Sequence, residues 1–406
     1  MKKKIAVVTS GFLPVPATKG GAVENLIFNL IKENEKNEKF EFVVFSIYDK
    51  SAQVESINYK KTKFYFYNPK KIILLLDKIF FFIAKNILKK KNSQTYRYIF
   101  QRLFFLNFIS KNIKNNNYDN ILLENHPTQY LCLKLRKNYK KYNGKVIYHC
   151  HNEFPGTFGL KKIIENTDKF VCVSSFIKQQ LSNYLEIDEN KFYILRNCVD
   201  EKIFNTNIDR NDIVEIRKKY EINYNDFVII FTGRIVPEKG VLELLKSIEM
   251  IDKNNLKLII VGSALNALQT KTDYQIKIEK MINKIKNKVL FTGFVDYNEI
   301  PNLYKISDLA VIPSIWDDPA PLTIIESIMC GLPIITTNSG GIPEYVNSNN
   351  AIVLNKNDGF IEKLSIEIVR LMDDEKLRKK MSKESVTLSK KMNVKNYYEN
   401  FEKIIK

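Results

Sequence analysis

Apolar positions along the chain change spacing in a repeating rhythm. Ile5–Ser10 is a short run of β-branched and small residues, the pattern of a buried strand. A loop from Gly11 to Gly21 follows. Val23, Leu26, Ile27, Leu30 and Ile31 then recur at i, i+3, i+4, i+7 and i+8, one face of a helix. Further strands are predicted at Phe42–Ile47, Asn120–Leu123, Lys145–His149, Phe170–Ser174 and Phe192–Leu195. The rhythm restarts after about residue 205 with Asp226–Thr232, a loop from Gly233 to Gly240, and a stripe of Val241, Leu244, Leu245 and Ile248. Strands are predicted again at Leu256–Val261, Val289–Thr292, Leu309–Ile312 and Pro333–Thr336. Alternation of this kind implies parallel sheets covered by helices. The predicted fold class is therefore α/β, two doubly wound halves in tandem: residues 1–205 and residues 206–389. A polar linker is expected near Asp200–Arg217, and a C-terminal helix over 390–406, centred on Asn393–Ile405, is expected to cross back to the first half.

The 406 residues suit two domains that each bury a core, and 45% apolar with 27% charged residues is a globular composition. Lys2–Lys4 precede an apolar run too short for a secretory leader, so none is expected. Cys132, Cys150, Cys172, Cys198 and Cys330 are scattered without a Cys-x-x-Cys pair, which disfavours a disulfide framework or zinc site and fits a reducing cytoplasm. The formal charge of +19 is uneven: Lys60–Lys114 holds fourteen Lys/Arg and one acid, Asp77, so 14 − 1 = +13 lies in this stretch. Phe64, Tyr65, Phe66, Tyr67, Phe80, Phe81, Phe82, Phe104, Phe105 and Phe108 are interleaved with it. Three readings are open: a solvated face, attachment to an anionic membrane surface, or nucleic-acid binding. Asp77, Lys78 and Lys85 interrupt Ile72–Leu88, which excludes a spanning helix there.

In open parallel sheets ligands bind at the carboxyl ends of strands, so the loops after the strands are where chemistry is expected. Pro313–Gly341 is the richest of them. Asp318 follows a strand, Pro319 and Pro321 place a helix start near Pro321, and Glu326 lies about one turn inside. The first-turn amides favour an anion, and a buried Glu326 needs partners such as the two hydroxyls of a ribose. In Thr232–Gly240, Gly233 ends a strand, Arg234 follows, and Lys239 sits at the next helix start. A guanidinium fork and a mobile ammonium can together neutralise a diphosphate leaving group. Gly20 and Gly21 precede the first helix, where glycines allow close approach of backbone amides to a phosphate or sugar. The dinucleotide fingerprint G-x-G-x-x-G is absent, which argues against a nicotinamide enzyme. The three histidines, His126, His149 and His151, all follow or end predicted strands of the first half.

Asp318-x7-Glu326, followed by Gly331-Leu332-Pro333 and Gly340-Gly341-Ile342-Pro343-Glu344, resembles the Glu-x7-Glu signature of the family 4 glycosyltransferases. Two departures stand out: Asp318 replaces the usual Glu, and Ala320-Pro321 replaces the common Phe-Gly. The resemblance implies a GT-B fold, two Rossmann-like domains facing a central cleft. It implies that Glu326 binds the ribose and that Asp318, with the backbone of Ala320, Pro321, Leu322 and Thr323, holds the donor sugar. Arg234 and Lys239 would contact the diphosphate beside Gly233, Gly20-Gly21 would face the donor, and His151 would lie by its sugar, with His126 a second candidate for sugar or acceptor. Val261-Gly262-Ser263 and Thr292-Gly293-Phe294-Val295 resemble loops of the nucleotide pocket, where the Val295 backbone would meet the base. Val173-Ser174-Ser175 resembles a strand-end serine stretch, and Arg196-Asn197-Cys198-Val199-Asp200 the hinge motif.

The function so implied is transfer of a sugar, with retention, from a nucleotide-diphosphate sugar, by default a UDP-sugar, to a saccharide acceptor; a lipid-linked acceptor of bacterial surface polysaccharide is inferred from Lys60–Lys114 alone. No cofactor or metal is implied. The expected location is cytoplasmic, peripheral at the inner face of the membrane through residues 60–114, with no nucleic-acid partner. A GT-B nucleotide-sugar epimerase and a non-catalytic membrane or polysaccharide-binding protein are the alternatives, with an RNA-binding protein a third that would explain the +19 charge but for which no RNA-binding signature is present.

Overall fold

A computed structural model describes residues 2–88, 96–262 and 272–406. Ser263 of the Val261-Gly262-Ser263 motif and residues 89–95 of the basic segment lie outside the described residues. The chain divides into two compact units, residues 1–196 with 397–406, and residues 197–396.

The first unit is built on strands β1 (Lys3–Val8), β2 (Phe40–Ile47), β3 (Thr62–Tyr67), β4 (Asn120–Glu124), β5 (Val146–Cys150), β6 (Lys169–Cys172) and β7 (Phe192–Ile194). Their order is β3-β2-β1-β4-β5-β6-β7, and every pair is parallel. β1, β4 and β5 are buried almost throughout, as strands covered on both faces must be. The order runs outward from β1 to β3 and then resumes at β4 on the other side of β1. The switch point therefore falls between β1 and β4, where Ser10, Glu124 and the loops that follow them emerge.

The second unit holds β8 (Phe227–Thr232), β9 (Leu256–Val261), β10 (Val289–Gly293), β11 (Leu309–Ile312), β12 (Ile334–Thr337) and β13 (Ala351–Leu354). They form a second parallel sheet, β10-β9-β8-β11-β12-β13, with its switch point between β8 and β11. One face packs on the amphipathic helices Val241–Met250 and Phe360–Asp373; the other packs on Leu322–Met329 with Leu303 and Tyr304.

The boundary differs from the expected one. Residues 197–205 belong to the second unit: Phe204 is buried in its core, the Val199 amide donates to the Met392 carbonyl at 3.2 Å, and the Val394 amide donates to Glu201 at 3.1 Å. The expected linker is also partly helical, Arg210–Lys219, with Ile213, Ile216 and Tyr220 set against that core. The last helix, Val394–Ile405, starts in the second unit and ends in the first, where the Tyr398 hydroxyl donates to Asn34 at 2.7 Å and Phe401 meets Phe40 edge to face.

The basic segment has an inverted helix. Lys71–Phe82 buries Ile73 and its one acid, Asp77, whose carboxylate accepts from the amides of Phe100 (2.8 Å) and Gln101 (2.9 Å) at the start of helix Ile99–Asn115. It turns Ile72, Leu75, Leu76, Ile79 and Phe82 outward. Among the described residues no helix is long and apolar enough to cross a membrane. All five cysteines are buried thiols.

Candidate functional site

In the second unit the loops after β8 and β11 are joined at the switch point by two links. The first is the ion pair between the Lys239 ammonium and the buried Asp318 carboxylate. Lys239 reaches this place because Pro237–Lys239 forms a tight turn that Gly240 ends at φ 71°. Glycine is required there, since a Cβ would lie 1.9 Å from the Pro313 carbonyl oxygen at the end of β11. The loop after β11 is held to the same turn, with the Ile315 and Trp316 amides donating to the Glu238 carbonyl at 2.9 and 3.2 Å. On the far side, Gly341 donates its amide to the Asp318 carbonyl at 2.9 Å and Gly340 to the Asp317 carboxylate at 3.2 Å, so the Gly-Gly pair after β12 buttresses this loop.

The second link is a buried chain of oxygens. Thr232, the last residue of β8, bonds the Tyr304 hydroxyl, which donates to Glu326 at 3.0 Å. Glu326 is buried, and burial pushes its carboxyl up to about 7, with the Tyr304 hydrogen bond working against that rise. A half-ionised carboxyl at neutral pH with one strong protein donor is suited to a ligand that brings more donors. Leu322–Met329, the helix carrying Glu326, begins after Pro321 without a side-chain cap; the Ile324 amide donates to the Pro321 carbonyl at 3.2 Å, which leaves the Leu322 and Thr323 amides to an outside acceptor. Ala320 is tied down by Asn197, whose Nδ2 donates to its carbonyl at 3.1 Å.

Lys239, Asp318, Ala320, Pro321, Leu322, Thr323 and Glu326 share the switch point, at the carboxyl ends of β8 and β11. Gly233 and Arg234 follow Thr232 directly, and Arg234 is exposed. Val295 lies beyond the end of β10, half-buried against the core, beside a highly exposed Phe294. Tyr304 carries no motif and was missed by sequence reasoning.

In the first unit, Gly21 caps helix Ala22–Asn37 after Gly20 ends the loop, both at positive φ. The Glu24 carboxylate lies against Gly21 and accepts from Ser10 Oγ at 2.7 Å. Burial raises its pKa, Ser10 opposes this, and nearby Glu124 adds to it. Glu124 ends β4, opposite His149 in β5. Its Oε2 lies 2.8 Å from His151 Nε2 and 3.2 Å from His149 Nδ1. All three are buried, and they are the group of His, Cys, Asp or Glu side chains close enough to share an ion among the described residues. Glu124 and His149 were not singled out from the sequence, although His149 and His151 stand at i, i+2 across the end of β5, a spacing that brings extended-backbone side chains to one side, and their rings lie 3.9 Å apart. His126 is engaged otherwise: its Nδ1 accepts from the Thr128 amide at 3.3 Å and caps a 3₁₀ turn, and burial together with Arg102 depresses its pKa to about 4.

Two family models match the chain: "Glycosyltransferase Family 4" over residues 77–202 and "Glycosyl transferases group 1" over residues 212–386. Among curated relatives, the UDP-Gal:alpha-D-GlcNAc-diphosphoundecaprenol alpha-1,3-galactosyltransferase of Escherichia coli is 31% identical over 221 residues, 52% of this chain and 53% of that one. The lipopolysaccharide 1,2-N-acetylglucosaminetransferase of Salmonella typhimurium is 25% identical over 207 residues, 50% of this chain and 51% of that one. The matches thus span about half the length of these two relatives. Among solved structures, Anabaena Alr3699/HepE in complex with UDP superposes with a TM-score of 0.73 at 17% identity, covering 99% of both chains, a likeness of fold.

Proposed function

Because the chain belongs to the family 4 glycosyltransferases and has their GT-B fold of two Rossmann-like domains, we propose that it moves a sugar, with retention, from a nucleotide-diphosphate sugar to a saccharide or lipid-linked acceptor of surface polysaccharide. UDP is the favoured nucleotide. Both curated relatives described above are glycosyltransferases, named for transfer to a diphosphoundecaprenol-linked sugar and to lipopolysaccharide. The observation that carries the reading is the convergence of Lys239, Asp318, Glu326 and an uncapped helix start at one switch point.

In this reading the ribose hydroxyls donate to Glu326, held by Tyr304. The diphosphate is met by Lys239, Arg234 and the first-turn amides of Leu322 and Thr323, with Gly233 allowing close approach. Asp318 exchanges Lys239 for hydroxyls of the sugar, while the backbones of Ala320 and Pro321 flank it. Val295 meets the base, Gly20 and Gly21 lie by the donor, and His151 contacts the sugar. As the sugar–phosphate bond lengthens, negative charge grows on the departing diphosphate, and two cations with fixed dipoles stabilise it without reorganising. Charge neutralisation by side chains makes turnover independent of added metal, so EDTA leaves the rate unchanged. The test is a thermal-shift screen of UDP-, GDP-, ADP- and dTDP-sugars, followed by release of free nucleoside diphosphate with acceptor present. A raised Tm for one nucleotide and acceptor-dependent release are expected. No stabilisation by any of them, or an epimerised donor without release, overturns the reading.

The basic segment we assign to an anionic membrane surface. The outward Ile72, Leu75, Leu76, Ile79 and Phe82 beside Lys70, Lys71 and Lys78 support this, as does the inward placement of Asp77. Co-sedimentation with phosphatidylglycerol vesicles but not phosphatidylcholine vesicles is expected, lost in Leu75→Ser/Ile79→Ser. Equal binding to both lipids, or to neither, contradicts it.

A further inference from the structure

Glu124, His149 and His151 form a closed, buried constellation. Two imidazole nitrogens approach the carboxylate: His151 Nε2 hydrogen-bonds Oε2 at 2.8 Å, and His149 Nδ1 hydrogen-bonds Oε1 at 3.5 Å while lying 3.2 Å from Oε2. An ionised carboxylate has no proton to give, so each facing nitrogen must carry one. That fixes the two rings oppositely: His149 is protonated on Nδ1 and His151 on Nε2. The far side of His149 agrees, because its Nε2 is buried without a hydrogen-bond partner. An unshared lone pair is tolerated there, whereas an N–H in the same place would be an orphaned donor. The ring centroids are 3.9 Å apart, close enough that two imidazolium ions would repel strongly. At most one ring is charged.

We propose that Glu124 is a positioning residue that locks His151 as the Nε2–H tautomer, leaving Nδ1 free to accept a hydrogen bond from a sugar hydroxyl, with His149 as the second donor that holds the carboxylate in place. This deepens the reading of His151 given above and rests on it. Burial works against an ionised Glu124, but the two imidazoles outweigh it and hold the carboxyl at about 2. Burial, with the neighbouring His149, lowers His151 to about 4 against the pull of Glu124, so the ring is neutral at working pH. A neutral ring with a fixed tautomer is an acceptor of known direction. Without the carboxylate, either nitrogen could carry the proton.

The chain has only three histidines, so long-range ¹H–¹⁵N correlation of the histidine-labelled protein, assigned with His126→Gln and His149→Gln, reads each tautomer directly. The expected spectrum at pH 7.5 shows His149 as Nδ1–H and His151 as Nε2–H. Both rings in the same tautomer, or fully protonated, overturns the proposal. So does a spectrum that changes on EDTA treatment with release of stoichiometric zinc, which would make the trio a metal site. In Glu124→Leu, His151 should become a tautomer mixture and kcat should fall roughly 100-fold, with the donor KM within about threefold, because the nucleotide grip lies in the other unit. Glu124→Gln, which keeps an acceptor oxygen, should recover much of that loss. An unchanged kcat in a folded Glu124→Leu overturns the positioning role. A wild-type rate in His151→Ala would instead remove His151 from the reaction and leave the tautomer assignment standing. The wild-type spectrum decides the tautomers whether or not a variant folds.

Discussion

The carboxyl of Glu326 should make ribose recognition depend on pH in a way that one matched pair of ligands can isolate. Its pKa lies at about 7 because burial disfavours the charged form. It is therefore about one-tenth ionised at pH 6, half at pH 7 and nine-tenths at pH 8. Hydrogen bonds to an ionised group contribute about 1.5–3 kcal/mol, roughly 10- to 150-fold in affinity. UDP should therefore bind at least about tenfold more tightly than 2′-deoxy-UDP at pH 8, where the carboxylate can accept from both hydroxyls. The preference should shrink severalfold towards pH 6. Taking the ratio of the two ligands cancels the titration of the phosphates, which both carry. Titration calorimetry at pH 6, 7 and 8 supplies the numbers, and Glu326→Gln should show a small, pH-independent ratio. A wild-type ratio near one, or a pH dependence that survives in Glu326→Gln, would rule out Glu326 as the ribose acceptor. The same group bears on stability. Its pKa rises from 4.5 in the unfolded chain to about 7 when folded. The folded state therefore binds more protons between these values, and stability falls by on the order of 3 kcal/mol as pH climbs through that window. Glu326→Gln should flatten this part of a Tm-versus-pH curve.

Three further outcomes follow from particular contacts. Lys239→Ala should lower kcat by two or more orders of magnitude and reduce Tm, because Asp318 is left buried without its partner; Lys239→Ala/Asp318→Asn should restore Tm but not turnover, measured by nucleoside diphosphate release and scanning calorimetry. Gly240→Ala should cost more Tm than Gly293→Ala, since both have positive φ but only the first would drive a Cβ into a backbone carbonyl, and thermal unfolding of the two variants compares them. Asp77→Ala should destabilise the first unit by about 1–2 kcal/mol in urea titration, through loss of the two amide contacts at the start of helix Ile99–Asn115, with no change in nucleotide affinity.

Central strands were legible because buried parallel strands are continuous apolar runs; β9 and β11 fall at the expected residues. The edge strands β3 and β13 were not. Each packs on one neighbour and stays half-exposed, so Thr62–Tyr67 and Ala351–Leu354 lack a clean pattern. The Lys71–Phe82 helix misleads in the opposite sense: its apolar residues point outward while its acid is buried, which periodicity alone cannot reveal. At the site, Lys239, Asp318 and Glu326 were visible because each sits at a fixed offset from a strand end and a glycine or proline. Tyr304 lies on the six-residue helix Ile300–Lys305 and matters only through contacts made 72 residues back and 22 residues on. Glu124 gains its meaning only once β4 and β5 pair in register and set it opposite His149.

The nucleotide-diphosphate site proposed above lies at the carboxyl ends of β8 and β11. Hydrogen exchange read by mass spectrometry, with and without saturating UDP, tests it most directly. Slowed exchange confined chiefly to Gly233–Val241, Val295 and Leu322–Glu326 is the expected footprint, reduced in Glu326→Gln. UDP that binds while leaving the amides of Gly233–Val241 and Leu322–Glu326 unprotected would place the nucleotide elsewhere.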